Sequence, residues 1–132
     1  MSADAAVDGL RILPTQHTVA DVLSRVQSLA RARGLTVFAQ IDFSGDAERS
    51  GLPMLPAGLV ILGSPKAGTP LMVSAPSTAL DLPLKILVAE TETGKVLLFW
   101  NDAAWLQDRH YFSEELAINL ATAQALAAAA AG

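Results

Sequence analysis

Apolar residues near the start of the chain recur at the spacing of one helix face. They lie at Val19, Val22, Leu23, Val26, Leu29 and Ala30, which matches the period of an α-helix. Thr18 is a favoured N-cap residue, and Gly34 is typical of the position that ends a helix. This pattern predicts an amphipathic helix between Thr18 and Gly34, preceded by a short strand at 10–13 that ends at Pro14.

Four later segments are rich in apolar and β-branched residues and predict strands, at 36–42, 58–62, 84–90 and 95–100. In the first of them Val37, Ala39 and Ile41 occupy alternate positions, so we expect them to share one face of a sheet. The segment 58–62 is almost wholly apolar, which is typical of a strand buried on both faces. Residues 91–94 separate the last two strands and end in a glycine, which predicts a hairpin.

Polar residues in front of apolar or alanine-rich segments predict the remaining helices. The expected N-caps are Ser44, Thr69, Asn101 and Ser113. Pro70 follows Thr69, and proline is favoured at the first position of a helix. We therefore expect a loop at 63–68 that leads into a helix ending near Ala75. Residues 76–82 are expected to be irregular.

This order of elements mixes strands and helices without the strict alternation of a doubly wound fold, and it includes a hairpin. It predicts an α+β fold, a two-layer sandwich in which helices cover one face of a mostly antiparallel sheet of four to five strands. The length of 132 residues fits one domain. We assign residues 10–132 to that domain and residues 1–9 to a flexible leader.

Charge and composition exclude several classes of partner. The formal net charge is −4, and the nine lysines and arginines are scattered, whereas a nucleic-acid-binding surface needs them clustered. We therefore expect neither nucleic acid nor an anionic membrane as a partner. The chain has no cysteine, no apolar stretch long enough to span a bilayer and no secretory signal, which together favour a cytoplasmic protein.

The segment 63–69 is a candidate anion-binding loop. Gly63 and Gly68 have the spacing of the glycines in a phosphate-binding P-loop, but Thr69 and Pro70 stand where that loop has its lysine and hydroxyl residue. A nucleotide triphosphatase is therefore excluded. Lys66, the Gly68 amide and a helix start at Thr69 could still bind a small carboxylate or phosphate. The alternative is a tight structural connection.

Three titratable residues are candidates for acid–base chemistry. Asp81 lies in an apolar frame and needs a partner, for which Lys85 or a backbone cap would serve. Asp42 and His110 could act as a general acid or base, but the favoured explanations are a solvated turn charge for Asp42 and a cation at a helix C-terminus for His110. No spacing of histidines and acidic residues predicts a metal site, so we expect neither a metal nor a cofactor.

Several motifs together carry a resemblance to a known family. They are Gly34-Leu-Thr-Val-Phe with Ile41-Asp42, Gly63-Ser-Pro-Lys-Ala-Gly-Thr-Pro-Leu-Met72, Asp81-Leu-Pro-Leu-Lys85, Gly94-Lys-Val and Asn101-Asp102. By these motifs, and by its first helix, the chain resembles the bacterial family called domain of unknown function 302 between Gly34 and His110. The resemblance implies a small α+β fold similar to that of the TATA-box-binding protein, often dimeric, and no known activity.

Two positions depart from the family pattern. Phe43 stands where a histidine commonly follows Ile-Asp, and Ser64 stands where asparagine is usual. Any chemistry that this histidine performs in relatives would be absent here. The segment beyond Phe112 is expected to lie largely outside the resemblance.

The leading hypothesis is a small-ligand-binding or protein-interaction module that acts as a homodimer and is not an enzyme. Its expected pocket, suited to a small anion, is formed by Lys66, Gly68, Thr69, Asp81 and Lys85. The alternative is an enzyme that uses Asp42, Asp81 or His110 as a general acid or base.

Overall fold

Five antiparallel strands join in one sheet within residues 7–132, the part of the chain that this computed structural model describes. They are β1 (Leu10–Thr15), β2 (Thr36–Asp42), β3 (Ala57–Gly63), β4 (Leu84–Glu90) and β5 (Val96–Asn101). Their order across the sheet is β1-β5-β4-β3-β2. The predicted α+β fold is confirmed, and the sheet is antiparallel throughout. The expected leader at 1–9 lies mostly outside the described residues.

The helices connect and follow the strands. They are α1 (Val19–Ala32), α2 (Phe43–Arg49), α3 (Pro65–Ser74), α4 (Ala103–His110) and α5 (Thr122–Ala131). Two 3₁₀ helices, Pro76–Leu80 and Glu114–Leu120, precede β4 and α5. α1 and α5 pack on the sheet and on each other, whereas α3, α4 and the 3₁₀ helices pack chiefly among themselves.

The main core lies between the sheet and the pair α1 and α5. α1 turns its predicted apolar stripe inward, and Thr18 caps it by accepting a hydrogen bond from the Asp21 amide. The fully buried side chains of this layer include Val22, Val26, Leu126, Val60, Ile86, Val88 and Leu98. Because each such side chain contributes about 1.5–3 kcal/mol by leaving water, this layer is the main source of stability.

A bulge in β2 reverses the predicted faces of that strand. Val37 pairs with Leu62 of β3, but Ala39 pairs with the preceding residue, Ile61, so the register shifts between Val37 and Ala39. An extra residue in one strand reverses the alternation of faces beyond it. Val37 therefore packs against the main core, while Ala39 and Ile41 face the opposite side, and the expectation that the three share one face is wrong.

Two helix caps differ from those predicted by one or two residues. Asp42 rather than Ser44 caps α2, and Asp102 rather than Asn101 caps α4. Each carboxylate accepts a hydrogen bond from the backbone N–H three residues later. The expected cap Ser44 instead bonds the backbone of Ala57, which ties α2 to the start of β3.

Three boundaries were also predicted wrongly. The last helix is divided into the 3₁₀ helix Glu114–Leu120 and α5, and Ser113 makes no side-chain cap bond. Pro76–Leu80 is a regular 3₁₀ helix rather than irregular chain. β1 continues through Pro14 to Thr15, which the edge of a sheet tolerates because a proline there need not donate a ladder hydrogen bond.

We expect Gly58→Ala to lower the free energy of unfolding by about 1 kcal/mol, because α1 lies too close to β3 to admit a side chain there. A Cβ atom at Gly58 would lie 2.6 Å from Leu23 Cδ1. Chemical denaturation measures the loss. In a Leu23→Ala background the same substitution should cost less, and an equal cost in both backgrounds would show that this contact is not the cause.

Candidate functional site

The sheet face opposite α1 and α5 carries an apolar row across its whole width. One cross-strand row takes a residue from each strand, in the order Ile12, Phe99, Leu87, Leu59 and Ile41. The flanking rows add Leu97, Ala89, Ala57, Ile61 and Ala39. Directly opposed residues of neighbouring strands project to the same side of a sheet. We call these ten residues the helix-free face, and none of them belongs to the main core cluster, although Leu97 and Ala57 are themselves buried.

A second feature is a cleft of about 200 Å³ beside α3. Its apolar walls include Phe38, Leu71, Met72, Leu82, Leu84 and Leu120, and Gly68 and Thr69 of the predicted site also line it. None of its lining side chains is charged. This cleft is therefore suited to an apolar molecule rather than to the small anion that the sequence suggested.

The helix start expected at the predicted anion site is absent, because α3 begins five residues earlier than expected. Ser64 is the N-cap and Pro65 the first helical residue, so Gly68 and Thr69 lie inside the helix. The Gly68 amide donates to the Ser64 carbonyl at 2.8 Å and is not free for a ligand. Lys66 is exposed and makes no ion pair within residues 7–132. The helix start at Thr69 was predicted wrongly.

The Asp81 carboxylate is held by two cationic or polar side chains of α4. Arg109 Nη1 donates to both carboxylate oxygens, at 3.1 and 2.9 Å, and His110 Nε2 lies 2.5 Å from Oδ2. The expected partner, Lys85, does not contact the carboxylate. It donates hydrogen bonds to two backbone carbonyls, that of Asp81 at 3.4 Å and that of Pro83 at 3.0 Å. Asp81 therefore joins the chain before β4 to the end of α4.

Ser77 extends this group into a chain of three side chains. Its Oγ lies 2.7 Å from His110 Nδ1, and the imidazole is 2 % exposed. Because the Asp81 carboxylate only accepts hydrogen bonds, Nε2 carries a proton. In the neutral imidazole, Nδ1 then accepts from the Ser77 hydroxyl. The order hydroxyl, imidazole, carboxylate is that of a nucleophile, its base and an orienting acid. The ring is reversed relative to the usual triad, in which Nε2 faces the serine.

Asp42 has a structural position at the start of α2. Its carboxylate accepts hydrogen bonds from the Gly45 amide at 2.9 Å and the Ser44 hydroxyl at 3.1 Å. The Gly45 amide, followed by Ser44, lowers the pKa of Asp42 from its usual value. A carboxylate held ionised in this way is well suited to capping a helix N-terminus and poorly suited to transferring a proton.

The structure thus brings together some of the predicted residues and separates others. Asp81 contacts His110, and Gly68 and Thr69 both line the cleft. Lys66 and Lys85 do not line the cleft. Sequence reasoning missed Ser77, Arg109 and Asn119, since nothing local marks a serine or arginine as a partner of a distant carboxylate. Within residues 7–132 no group of three or more metal-ligating side chains occurs.

Comparison with known proteins assigns the family. The model of the family described as domain of unknown function DUF302 matches residues 12–131. The chain belongs to this family. The match includes the last helix, so the expectation that the resemblance ends near Phe112 is wrong.

The similar proteins add a fold and two named relatives. A crystal structure of an uncharacterized conserved DUF302 protein from Bacillus stearothermophilus has a TM-score of 0.76 at 14 % identity, covering 95 % of this chain and 97 % of that one. At that identity the likeness shows the fold alone. Proteins named fluoride-specific ion channel FluC 1 from Brucella suis and FluC 2 from Brucella melitensis are 40 % identical over 102 residues, or 77 % of this chain.

The chain spans only 40 % and 38 % of the length of these two Brucella proteins. Among the described residues of this DUF302 protein, none of the helices has the length and apolar character needed to cross a bilayer.

We expect Asp81→Ala to lower the free energy of unfolding by about 2 kcal/mol, because it removes charge-assisted hydrogen bonds and leaves the buried His110 Nε2–H without an acceptor. Urea denaturation at neutral pH measures the effect. Asp46→Ala is the matched control, since its ion pair with Arg49 is exposed and worth little. Equal stability of the two variants would contradict the structural role of Asp81.

Proposed function

We propose that this DUF302 protein is a non-enzymatic interaction module that acts as a homodimer, with the helix-free face of each copy packed on the other. The observation that carries the proposal is the unbroken apolar row across all five strands, Ile12, Phe99, Leu87, Leu59 and Ile41. The cytoplasmic location stays a prediction from the sequence.

The chemistry of the face supports a protein partner. Soluble monomers rarely expose contiguous apolar patches larger than a few hundred Å², and larger patches mark interaction sites. The flanking rows add Leu97, Ile61 and alanines, so the patch extends on both sides of the central row. It ends on one side at Lys85 of β4, which pairs with Ile61, and at Asn101, which pairs with Leu10. The ammonium group of Lys85 donates hydrogen bonds to backbone carbonyls at the edge of the patch and does not lie over the patch.

A second copy of the chain fits this surface better than an unrelated partner does. In a two-fold dimer the same patch meets itself, so an apolar patch of uniform character needs no charge complement. Homodimer interfaces are more apolar than other interfaces and resemble a core cut in half. The nearly continuous apolar sequence of β3 has the pattern of a strand covered on both sides.

The expected result in solution is a dimer of twice the chain mass of 13.8 kDa, measured by light scattering coupled to gel filtration. Leu87→Glu should give a folded monomer, because a carboxylate at the centre of the face would be buried without a partner. Ile118→Glu, at an exposed apolar position on another surface, should leave the dimer intact. A monomeric parent protein, or a Leu87→Glu variant that remains dimeric, would refute the proposal.

A second candidate function is favoured by the Ser77–His110–Asp81 contacts. In that case Ser77 Oγ attacks the carbonyl carbon of a small ester while its proton passes to His110 Nδ1, and the imidazolium then protonates the departing alkoxide. Water repeats the sequence and releases the acid. The burial of the His110 ring makes this the weaker candidate, because the ring lines neither the cleft beside α3 nor the clefts beside α1 and β1.

Hydrolysis of 4-nitrophenyl acetate tests the second candidate. If it holds, the protein releases nitrophenolate faster than buffer, and Ser77→Ala abolishes the difference. Ser74→Ala, which removes an exposed serine of α3, is the control and should retain the rate. A parent protein no faster than buffer, or a Ser77→Ala variant with an unchanged rate, would eliminate it.

A further inference from the structure

The cleft beside α3 shares no residue with the helix-free face, so a ligand in it would not occupy the proposed dimer surface. Its floor is made by Leu71, Leu84 and Leu120, which belong to the main core. Phe38 stands at its edge with 49 % of its surface exposed, an unusual position for a large aromatic side chain. Phe38 follows Val37 at the bulge of β2, and this bulge directs the ring toward the cleft.

The size of the cleft limits the ligand. An apolar cavity of about 150 Å³ accommodates benzene. The cleft measures about 200 Å³, enough for one aromatic ring with a short substituent. No charged side chain lines it, so a charged group placed inside would lose its hydration without gaining a partner.

Asn119 supplies one directional polar group. Its Nδ2 donates to the Ala67 carbonyl at 2.9 Å, which fixes the carboxamide against α3. This bond leaves Oδ1 to accept a hydrogen bond from a ligand. Small-molecule pockets are typically apolar with a few placed polar groups of this kind.

We propose that the cleft binds a small neutral aromatic alcohol or phenol. The ring packs among Phe38, Met72 and Leu82, and the hydroxyl donates to Asn119 Oδ1. Phe38 offers an aromatic partner and Met72 a polarisable thioether, both of which favour an aromatic ring over a saturated one.

Binding of 4-methylphenol to the full chain, followed by amide chemical shifts, tests the proposal. We expect saturable shifts centred on α3, Leu82 and Leu120. The anion 4-methylbenzoate, of similar shape, should bind at least about tenfold more weakly, because its charge would be desolvated. Equal binding of the anion would overturn the neutral class of ligand, and absence of saturation by 4-methylphenol would overturn the site.

Gly68→Leu should weaken binding of 4-methylphenol by about tenfold or more, since it adds a side chain inside the pocket. A Cβ at Gly68 would lie 3.7 Å from Leu82 Cδ1 and 4.0 Å from Met72 Cε, ordinary contacts that point into the cleft. Val73→Leu, on the exposed side of the same helix, is the matched control and should bind as the parent does.

If Gly68→Leu does not fold, Gly68→Ala replaces it. Alanine is a better helix former than glycine, so this variant should be at least as stable as the parent and should bind more weakly. Unchanged affinity in a folded Gly68 variant would refute the location of the site.

Discussion

The apolar character of both faces of one sheet is the constraint on which this structure depends. α1 and α5 cover one face and bury Val60, Ile86, Val88 and Leu98 completely. The opposite face carries a row of five large apolar side chains that the main core does not include. α3 and α4 do not cover this opposite face, because they pack beside the sheet on the 3₁₀ helices. The second layer is what a second copy would supply.

Polar residues in and near the family motifs support this arrangement at the ends of the central strands. Asp81, Arg109 and His110 link the segment before β4 to the end of α4, and Ser64 starts α3 directly after β3. Asp81, Arg109 and His110 lie outside the cleft, whereas Ser64 lines it. Of the residues that the sequence suggested for ligand chemistry, Asp42, Asp81 and Lys85 therefore hold the scaffold, while Gly68 and Thr69 line the cleft.

Elements specified by local patterns could be predicted from the sequence, and those decided by tertiary contacts could not. The stripe of α1, its Thr18 cap and the hairpin at Gly94 are local, and all are present. For α3 the sequence offers two equivalent starts, each a hydroxyl residue followed by proline, and the end of β3 at Gly63 decides between them. The partner of Asp81 lies 28 residues further on, so no local rule indicates it.

The bulge in β2 shows why the helix-free face was not predicted. Strict alternation would place Ala39 and Ile41 with Val37 toward the helices, and one extra residue moves them to the other side. The apolar row of the helix-free face can therefore be recognised only when the pairing register of all five strands is known.

The most direct measurement of the central claim is an isotope-filtered nuclear Overhauser experiment on an equal mixture of carbon-13-labelled and unlabelled protein. Packing of the helix-free faces predicts cross-peaks from the methyl groups of Leu59 and Leu87 in one copy to the Phe99 ring of the other. Intermolecular cross-peaks confined to other surfaces, or none at all, would contradict it.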